Sequence, residues 1–355
     1  MIKLRKSNAA AAAAAIIAAM TSATIADACT RLVYHGSDGK TITARSMDWT
    51  NDIPSNLWIF PRGMTRSGET GINGINWTSK YGSVVTSAFD IATADGVNEM
   101  GLMANVLWLV ESDYPTYNPQ EAGLTIAAWA QYTLDNFGTV AEAVEQLSKE
   151  EFVVVTDSIP GEHRLATLHL SISDTSGDSA IFEYIDKKLV IHHGRQYQVM
   201  TNSPIYDKQL ALNQYWEGVG GLTFLPGTNR AADRFARAAF YVNTVPKYDN
   251  PDEALASVFS VIRNASVPYG ISTDSEPNLS STRWRTVFDH KRKIYFFESV
   301  RTPNVFWVEL KDVDFSAETG KVKTLNLGVN QTTTYSGNTA SQFVESAPFK
   351  FLGVP

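Results

Sequence analysis

The single cysteine of this chain, Cys29, directly follows a segment whose pattern predicts removal during export. A basic start at 3–6 leads into an apolar stretch at 9–20, and 26–28 reads Ala-Asp-Ala, the small-x-small pattern before a signal-peptidase cut. Cleavage after position 28 would leave a thiol and a free α-amine on one residue. The thiolate is a strong nucleophile, and an α-amine with a pKa of about 8 is a base near neutral pH. The pattern therefore predicts an N-terminal cysteine nucleophile that carries its own base.

A cysteine at a cleavage junction also has a second interpretation, in which lipid attached to Cys29 anchors a binding protein to a membrane. Lipoprotein signals normally place a branched apolar residue three positions before the cysteine, where this chain has Ala26, and the charged Asp27 fits that pattern poorly. The stretch at 9–20 is also shorter than the about 20 residues that span a bilayer. We expect an exported, periplasmic or secreted protein without stable membrane anchoring, and keep the anchored binding protein as the alternative.

An N-terminal cysteine needs a positive group near its thiol and a carboxylate near its amine. Arg45 and Asp48 lie on a strand that returns past Cys29, and they are candidates for these two roles. The alternative is an ordinary surface ion pair, although Asp48 stands between Met47 and Trp49 on an apolar strand. Residues three apart on a regular strand face opposite ways, so a shared site requires a bulge or the end of the strand.

The elements that must position these residues follow from hydrophobic periodicity and turn residues. An Asp-Gly pair at 38–39 between two alternating stretches predicts a β-hairpin over 30–49. Apolar or alternating stretches predict further strands, and apolar residues at helical spacing predict helices. The order of strands, then helices, then strands predicts one layered α+β domain with antiparallel sheets over 29–355. The predicted strands are 58–62, 83–87, 102–110 after a turn at 95–101, 165–172, 179–184, 189–192, 196–201 and a strand-rich tail at 284–310; the predicted helices are 124–134, 139–147, 231–242 and 252–261.

Composition excludes several other classes of function. The net charge is −7, and no basic run exceeds the short stretch at 290–293, which argues against nucleic acid as a partner. Hydrophobic residues make up 44%, as expected for a globular chain. The histidines show no zinc-like spacing, and no phosphate loop, dinucleotide fingerprint or serine elbow occurs. We therefore expect no metal and no organic cofactor. The histidines are His35, His163, His169, His192, His193 and His290.

Several ordered motifs resemble those of one enzyme family. Cys-Thr-Arg at 29–31 and Thr-Ala-Arg-Ser-Met-Asp-Trp at 43–49 resemble the start of the choloylglycine hydrolases, which include penicillin V acylases and conjugated bile salt hydrolases. The resemblance continues at 95–102, 199–204 and 233–237, in the family's order and over nearly the whole chain after Cys29. It is strongest to the penicillin V acylase branch of Gram-negative bacteria.

The resemblance implies a fold, an activity and a set of site residues. It implies the four-layer αββα sandwich of N-terminal-nucleophile hydrolases, with two antiparallel sheets, and hydrolysis of a small-molecule N-acyl amide. By motif, Cys29 is the nucleophile, Arg45 supports the thiolate and Asp48 partners the α-amine. Asn202 serves the oxyanion, and Arg234 is a more distant arginine of the active site. Without the resemblance, Asn202 would be taken as a turn residue and Arg234 as a solvent-facing charge on a helix.

Two departures from the family pattern concern the oxyanion site and assembly. Trp108 replaces the asparagine that serves the oxyanion in bile salt hydrolases, and Asn105 should face the other side of its strand. A backbone N–H or the Trp108 indole N–H would then be the second donor. The stretch 215–233 is shorter than in longer members, which weakens the family's tetramer as an expectation for this chain.

The expected substrates follow from the branch and from two tryptophans. Members of this branch act on penicillin V and on N-acyl homoserine lactones. Trp49 and Trp108 are candidate aromatic walls for a phenoxyacetyl or fatty acyl group, unless both are ordinary core residues. A conjugated bile salt is the alternative substrate, and its rigid steroid should be harder to place between two tryptophans. The run 282–286 is basic and aromatic; we expect a packed surface strand there or, less readily, a part of the pocket mouth.

Overall fold

The hairpin that carries Cys29 is the first element of the computed structural model, which describes residues 28–159, 164–274 and 279–354. Strand β1 (Thr30–His35) pairs antiparallel with β2 (Thr41–Trp49), so the predicted hairpin is confirmed. Between them Asp38 and Gly39 have φ angles of 51° and 69°, in the region that glycine and, less readily, aspartate adopt. The predicted export signal at 1–28 lies outside the described residues, apart from Ala28.

Most of the other strands join two large sheets. Their bounds are β3 (Leu57–Phe60), β4 (Thr65–Ser67), β5 (Asn76–Thr78), β6 (Ser83–Ala88), β7 (Ala92–Asn98), β8 (Met103–Trp108), β9 (Gly123–Thr125), β10 (Val153–Val155), β11 (Leu168–Ser173), β12 (Ser179–Ile185), β13 (Lys188–His193), β14 (Val199–Met200), β15 (Ser281–Asp289), β16 (Ile294–Ser299), β17 (Val305–Glu309), β18 (Lys323–Leu325), β19 (Gly337–Asn338) and β20 (Val344–Glu345). Within the described residues, one sheet has seven strands in the order β14-β1-β2-β15-β16-β17-β19. The other has nine, in the order β13-β12-β11-β8-β7-β6-β3-β18-β20. We call them the Cys29 sheet and the second sheet.

Helices cover the outer faces of both sheets. The α-helices are α1 (Trp129–Asn136), α2 (Val140–Leu147), α3 (Tyr206–Val219), α4 (Ala231–Thr244) and α5 (Pro251–Asn264). Helices α4 and α5 pack on β1 and its neighbours in the Cys29 sheet, whereas α1 and α2 pack on β7, β8 and β12 of the second sheet. The inner faces touch each other, for example through Thr86 and Tyr295, whose hydroxyls are 2.9 Å apart. The predicted αββα order is therefore confirmed.

Local signals explain where several helices begin. The Thr139 hydroxyl accepts from the Glu142 N–H at 3.2 Å while the Glu142 carboxylate accepts from the Gly138 N–H, a reciprocal cap at the start of α2. Asn250 caps α5, whose first residue is a proline, a residue favoured at that position. Short 3₁₀ turns cover Ser37–Gly39, Gly71–Asn73, Ile126–Ala128, Leu310–Asp312, Val329–Gln331 and Ala340–Gln342. Among the described residues, no helix has the length and apolar character needed to cross a bilayer.

The prediction of a turn over 95–101 is wrong, because residues 92–98 form β7. Gly96 is required there by close packing: a Cβ atom on it would lie 2.6 Å from a Val85 methyl carbon. The turn comes later, at 99–102. Its N–H groups at Met100, Gly101 and Leu102 donate to the Asn98 side-chain oxygen at 3.0–3.1 Å. Residues 98–102 of the motif that resembles the family thus form a turn closed by the Asn98 side chain.

Other boundaries also differ from those predicted. The helix predicted over 124–134 begins only at Trp129, because Gly123–Thr125 pair with Val153–Val155 as short parallel strands. Helix α3 was not predicted, since it buries little more than Tyr206 and Gln209 and lacks an apolar stripe. The strand predicted at 196–201 is reduced to Val199–Met200, and the tail at 284–310 contains β15, β16 and β17.

Candidate active site

Cys29 lies immediately before β1 and lines a largely apolar cavity of about 750 Å³, counting its open mouth. Its side chain is only 2% exposed. The Asp48 N–H donates to its sulfur at 3.5 Å, and Arg45 Nη2 lies 4.0 Å from the same atom. The Met47 sulfur is 3.9 Å away. The structure thus brings the predicted nucleophile and both of its predicted partners together.

The surroundings keep the thiol protonated. Burial raises the pKa of the Cys29 thiol to about 11; the charges of Arg45 and Arg234 lower it, while that of Asp48 raises it. Arg45 thus acts in the direction that the sequence predicts, but desolvation outweighs it. While Ala28 precedes Cys29, the thiol is therefore neutral near pH 7.

The backbone nitrogen of Cys29 is held by Asn202. The nitrogen donates to Asn202 Oδ1 at 2.5 Å, and Arg234 Nη2 donates to the same oxygen at 2.9 Å. Asn202 Nδ2 donates one hydrogen to the Trp108 carbonyl oxygen at 2.7 Å. The amide oxygen of Asn202 is therefore committed to the Cys29 nitrogen, and one hydrogen of its NH₂ group is left for an oxyanion.

Arg234 lies closer to Cys29 than the resemblance implies. It is fully buried on α4, and its Nη1 donates to the Cys29 carbonyl oxygen and to the Thr30 hydroxyl, each at 2.6 Å. Its Nε donates to the Asn229 carbonyl at 3.0 Å. The alternative of a solvent-facing charge is wrong. Arg234 instead connects the carbonyl of Cys29 to the side chain of Asn202.

Asp48 and Arg45 share the site although they alternate along β2. Arg45, Met47 and Trp49 line the cavity, whereas the Asp48 side chain is directed away from it; Asp48 reaches the thiol through its backbone N–H. The predicted bulge between Arg45 and Asp48 is not in β2, which is one strand over Thr41–Trp49; the register shift lies in the neighbouring strand, β15, opposite Asp48. The Asp48 carboxyl is fully buried, and its Oδ1 has no hydrogen-bond partner. Burial raises its pKa to about 6, against the opposing charge of Arg234.

The two tryptophans form one wall of the cavity. The rings of Trp49 and Trp108 contact each other edge to face, with centroids 5.7 Å apart. The contact leaves no space for a group between the two rings, so they present one continuous aromatic wall to the cavity. The guanidinium of Arg164 stacks 4.2 Å from the Trp108 ring centre. The Trp108 Nε1 atom is buried without a hydrogen-bond partner.

The contacts of Trp284 and Arg283 with residues of the site were not predicted. The run 282–286 is a strand, as expected, but it belongs to β15 inside the Cys29 sheet beside β2, so its expected place at the surface or at the pocket mouth is wrong. Its Trp284 ring lies 4.5 Å from the Arg45 guanidinium carbon, and Arg283 Nε donates to the Trp49 carbonyl at 3.1 Å. Alternation of aromatic and basic residues in this run was the available signal. Asn105, as expected, is turned away from the cavity and donates to Asp95.

No metal centre accompanies these residues in the part of the chain that the structure describes. No group of three His, Cys, Asp or Glu side chains there is placed to hold a metal ion. The described histidines bond to protein groups, such as His169 Nδ1, which is 3.1 Å from a Glu183 carboxylate oxygen. His163 lies outside the described residues.

Comparison with known proteins identifies the family. The family described as linear amide C–N hydrolases, choloylglycine hydrolase family, matches residues 29–324. The chain belongs to this family. It is therefore an enzyme of the linear amide C–N hydrolase class, and the match begins at Cys29.

Individual relatives agree with this assignment. The chain is 54% identical to a penicillin V acylase of Pectobacterium atrosepticum over 96% of both chains. A solved penicillin V acylase of Agrobacterium tumefaciens is 64% identical and superimposes with a TM-score of 0.87 over 92% of this chain and all of the other. A conjugated bile acid hydrolase of Clostridium perfringens, 22% identical, shares the fold with a TM-score of 0.71 over 87% of this chain and 99% of the other. The chain is a penicillin V acylase homologue with the fold of N-terminal-nucleophile hydrolases.

The buried Asp48 carboxyl should make stability depend on pH in a chain where Ala28 still precedes Cys29. Its folded pKa of about 6 exceeds its ordinary value of 3.8, so between these pH values the folded state binds more protons than the unfolded state. The free energy of unfolding should fall by about 2–3 kcal/mol as pH rises through this window. Asp48→Asn should lack that fall. Urea denaturation of both chains at pH 4 and pH 7 measures it, and equal pH responses would contradict this account of Asp48.

Proposed function

We propose that this enzyme cleaves N-acyl amides with Cys29 as its N-terminal nucleophile, and that penicillin V and N-acyl homoserine lactones are its substrates. One observation carries the proposal: Cys29 lines an apolar cavity while its nitrogen is held 2.5 Å from Asn202 Oδ1. The thiol thereby faces the space for an acyl group, and the nitrogen is held in place to serve as the base.

The reaction proceeds in two halves. The α-amine, directly or through a water, takes the thiol proton as the sulfur attacks the amide carbonyl carbon, and the same proton then passes to the leaving amine. Collapse of the tetrahedral intermediate breaks the C–N bond and leaves a thioester, which water hydrolyses to the free acid and the thiol. A base is necessary because the resting thiol is neutral. Asp48 orients the amine, Arg45 and Arg234 favour the thiolate, and Asn202 and a second donor bind the oxyanion.

This mechanism requires cleavage after Ala28, so the proposal includes export through a signal peptide to the periplasm. An amide nitrogen bonded to Ala28 is not a base. The alternative, a lipid-anchored binding protein, would carry lipid on the thiol. Because that thiol is 2% exposed and packed against Arg45, Met47 and Asp48, its lipid would have to occupy the cavity. This burial favours the unmodified N-terminus.

The cavity supports an apolar acyl group. Its wall combines Trp49 and Trp108 with aliphatic residues such as Ile53, Ile126 and Leu168. Aromatic and aliphatic walls bind a phenoxyacetyl group or a fatty acyl chain mainly by burying apolar area. The penicillin V acylases of Pectobacterium atrosepticum and Agrobacterium tumefaciens, at 54% and 64% identity, support the first substrate. A conjugated bile salt remains the alternative, since a bile salt hydrolase/transferase of Clostridium perfringens is 27% identical.

The intact mass of the protein purified from its native export route tests the N-terminus. We expect a mass that starts at unmodified Cys29, because the mechanism needs a free amine and a free thiol. A mass increased by acyl chains would replace the amidase by the anchored binding protein. The native mass of the same sample reports whether the chain forms a homo-oligomer, such as the tetramer that the family resemblance implies.

Replacement of the nucleophile should abolish turnover without unfolding the chain. Cys29→Ser and Cys29→Ala should each reduce kcat for penicillin V, and for an N-acyl homoserine lactone, by at least about a thousandfold. Circular dichroism and the urea midpoint establish that each variant is folded. Near-normal turnover by either folded variant would rule out Cys29 as the nucleophile. A conjugated bile salt assayed beside these substrates decides between the substrate classes.

Trp108→Phe tests the second oxyanion donor. The indole N–H is buried without an acceptor, and phenylalanine keeps an aromatic wall while removing that donor. Loss of one oxyanion donor typically lowers kcat by about 100-fold or more, so we expect a fall of at least about 10-fold with little change in KM. Trp49→Phe, in the same aromatic wall, is the matched control and should leave kcat within about threefold. Equal kcat values for the two variants would assign the second donor to the backbone.

A further inference from the structure

Arg45 is a buried cation with few partners of its own. Its side chain is fully buried, and Nη2 donates to the Val106 carbonyl at 3.2 Å and to the Met47 sulfur at 3.4 Å. Its Nε and Nη1 atoms have no hydrogen-bond acceptor. Among the described residues, no carboxylate oxygen lies within ion-pair distance of it. A buried charge in this state is costly unless an opposite charge lies nearby in the same low-dielectric region.

Asp95 is a buried carboxyl in the same space between the two sheets. It is fully buried on β7, and the Tyr295 hydroxyl and the Asn105 side-chain NH₂ donate to its two carboxylate oxygens. Tyr295 reaches it from β16 of the Cys29 sheet and also bonds to the Thr86 hydroxyl at 2.9 Å. From the sequence, Asp95 is expected only in a turn and in the motif at 95–102, and the mechanism does not use it.

A continuous set of contacts connects these two charges. Arg45 donates to the carbonyl of Val106, and the preceding residue, Asn105, pairs with Asp95 across β7 and β8 and donates to its carboxylate. Burial raises the pKa of Asp95, and Arg45 is the largest influence that lowers it. Burial and the charge of Asp95 raise the pKa of the Tyr295 hydroxyl, whereas the charge of Arg45 lowers it.

We propose that Asp95 is a positioning residue that balances the charge of Arg45 beside the Cys29 thiol, with Tyr295 and Asn105 holding its carboxylate. This inference rests on the proposed function, in which that thiol is the nucleophile. Arg45 and Arg234 favour the thiolate, whereas Asp48 and, through Arg45, Asp95 oppose it. The charge of Asp95 thus acts in the same direction as burial, which is the largest influence that raises the thiol pKa.

The sign of the effect follows from the charges. Removing the negative charge of Asp95 leaves Arg45 without its counter-charge, so the thiolate becomes easier to form and the thiol pKa falls. Asp95→Asn should lower it by about half to one unit, which is about three- to tenfold more thiolate at a fixed pH below the pKa. Arg45→Met should shift the thiol pKa in the opposite direction. The Asn105 Oδ1 has no partner, so rotation of this amide would let it accept from an asparagine at position 95.

Ultraviolet absorbance of the thiolate during a pH titration measures this effect directly. Cys29 is the only cysteine in the chain, so all thiolate signal comes from it, and each variant carrying Cys29→Ser as well provides its tyrosinate baseline. Asp135→Asn is the matched control. Asp135 is also a fully buried carboxyl, but its partners are the Trp77 indole N–H and Arg66 instead of Arg45. We expect no change in thiol pKa for this control or for Asp95→Glu.

The outcomes separate this inference from the proposed function. An unchanged or raised thiol pKa in folded Asp95→Asn overturns the role of Asp95. If that variant does not fold, Asp95→Ser replaces it: this change also removes the negative charge and keeps a small hydrogen-bonding group, so the thiol pKa should again fall, and no fall overturns the role. The titration needs no substrate. Full activity of Cys29→Ser would instead refute the nucleophile and leave the titration result standing.

Discussion

The active site depends on charges that are buried where water cannot screen them. Arg45, Arg234, Asp48 and Asp95 are all fully buried around Cys29. Each costs free energy to desolvate, and together their opposite charges compensate much of that cost. The arrangement has a chemical consequence. Burial raises the pKa of the Cys29 thiol to about 11, and the charges of Arg45 and Arg234 offset this rise only in part. In the proposed mechanism a base must therefore act during the reaction, and the α-amine of Cys29 itself satisfies that need.

The position of Cys29 at the end of a strand explains how one residue can contact two different environments. Inside a strand, alternate residues face opposite sides of the sheet, as Arg45 and Asp48 do on β2. Cys29 precedes β1, where its thiol meets the cavity side through Arg45 and Met47. Its nitrogen and carbonyl meet Asn202 and Arg234, which the segment after β14 and helix α4 supply from elsewhere in the chain. Thiol, nitrogen and carbonyl are thus bound by separate groups, and the nucleophile cannot rotate without breaking contacts with all of them.

Sequence patterns predicted the features that are local in the chain. The hairpin followed from alternation and an Asp-Gly pair, and the association of Cys29, Arg45 and Asp48 followed from that hairpin. Features set by contacts between distant segments were not accessible. Gly96 looked like a turn residue, although it is a glycine because a strand packs closely against Val85. Trp284 looked like part of a surface strand, and only the pairing of β15 with β2 places it against Arg45. The direct contact between Arg234 and Cys29 likewise depends on how α4 packs on β1, which spacing along the chain does not encode.

The Asp48 Oδ1 atom, which has no hydrogen-bond partner, relates the buried charges of the site to the proposed cleavage after Ala28. While Ala28 precedes it, the Cys29 nitrogen has one hydrogen, and Asn202 accepts it. The Asp48 Oδ1 then has no donor, and burial raises the pKa of its carboxyl to about 6. In the proposed mechanism, cleavage turns this amide into an amine with additional hydrogens and, when protonated, a positive charge. Both changes favour the ionised carboxylate, since a donor and a cation each lower the pKa of a buried acid. In this mechanism, the cleavage that creates the α-amine therefore also stabilises the ionised carboxylate of Asp48, which orients that amine. The charges of the site are then matched only after Cys29 has become the first residue.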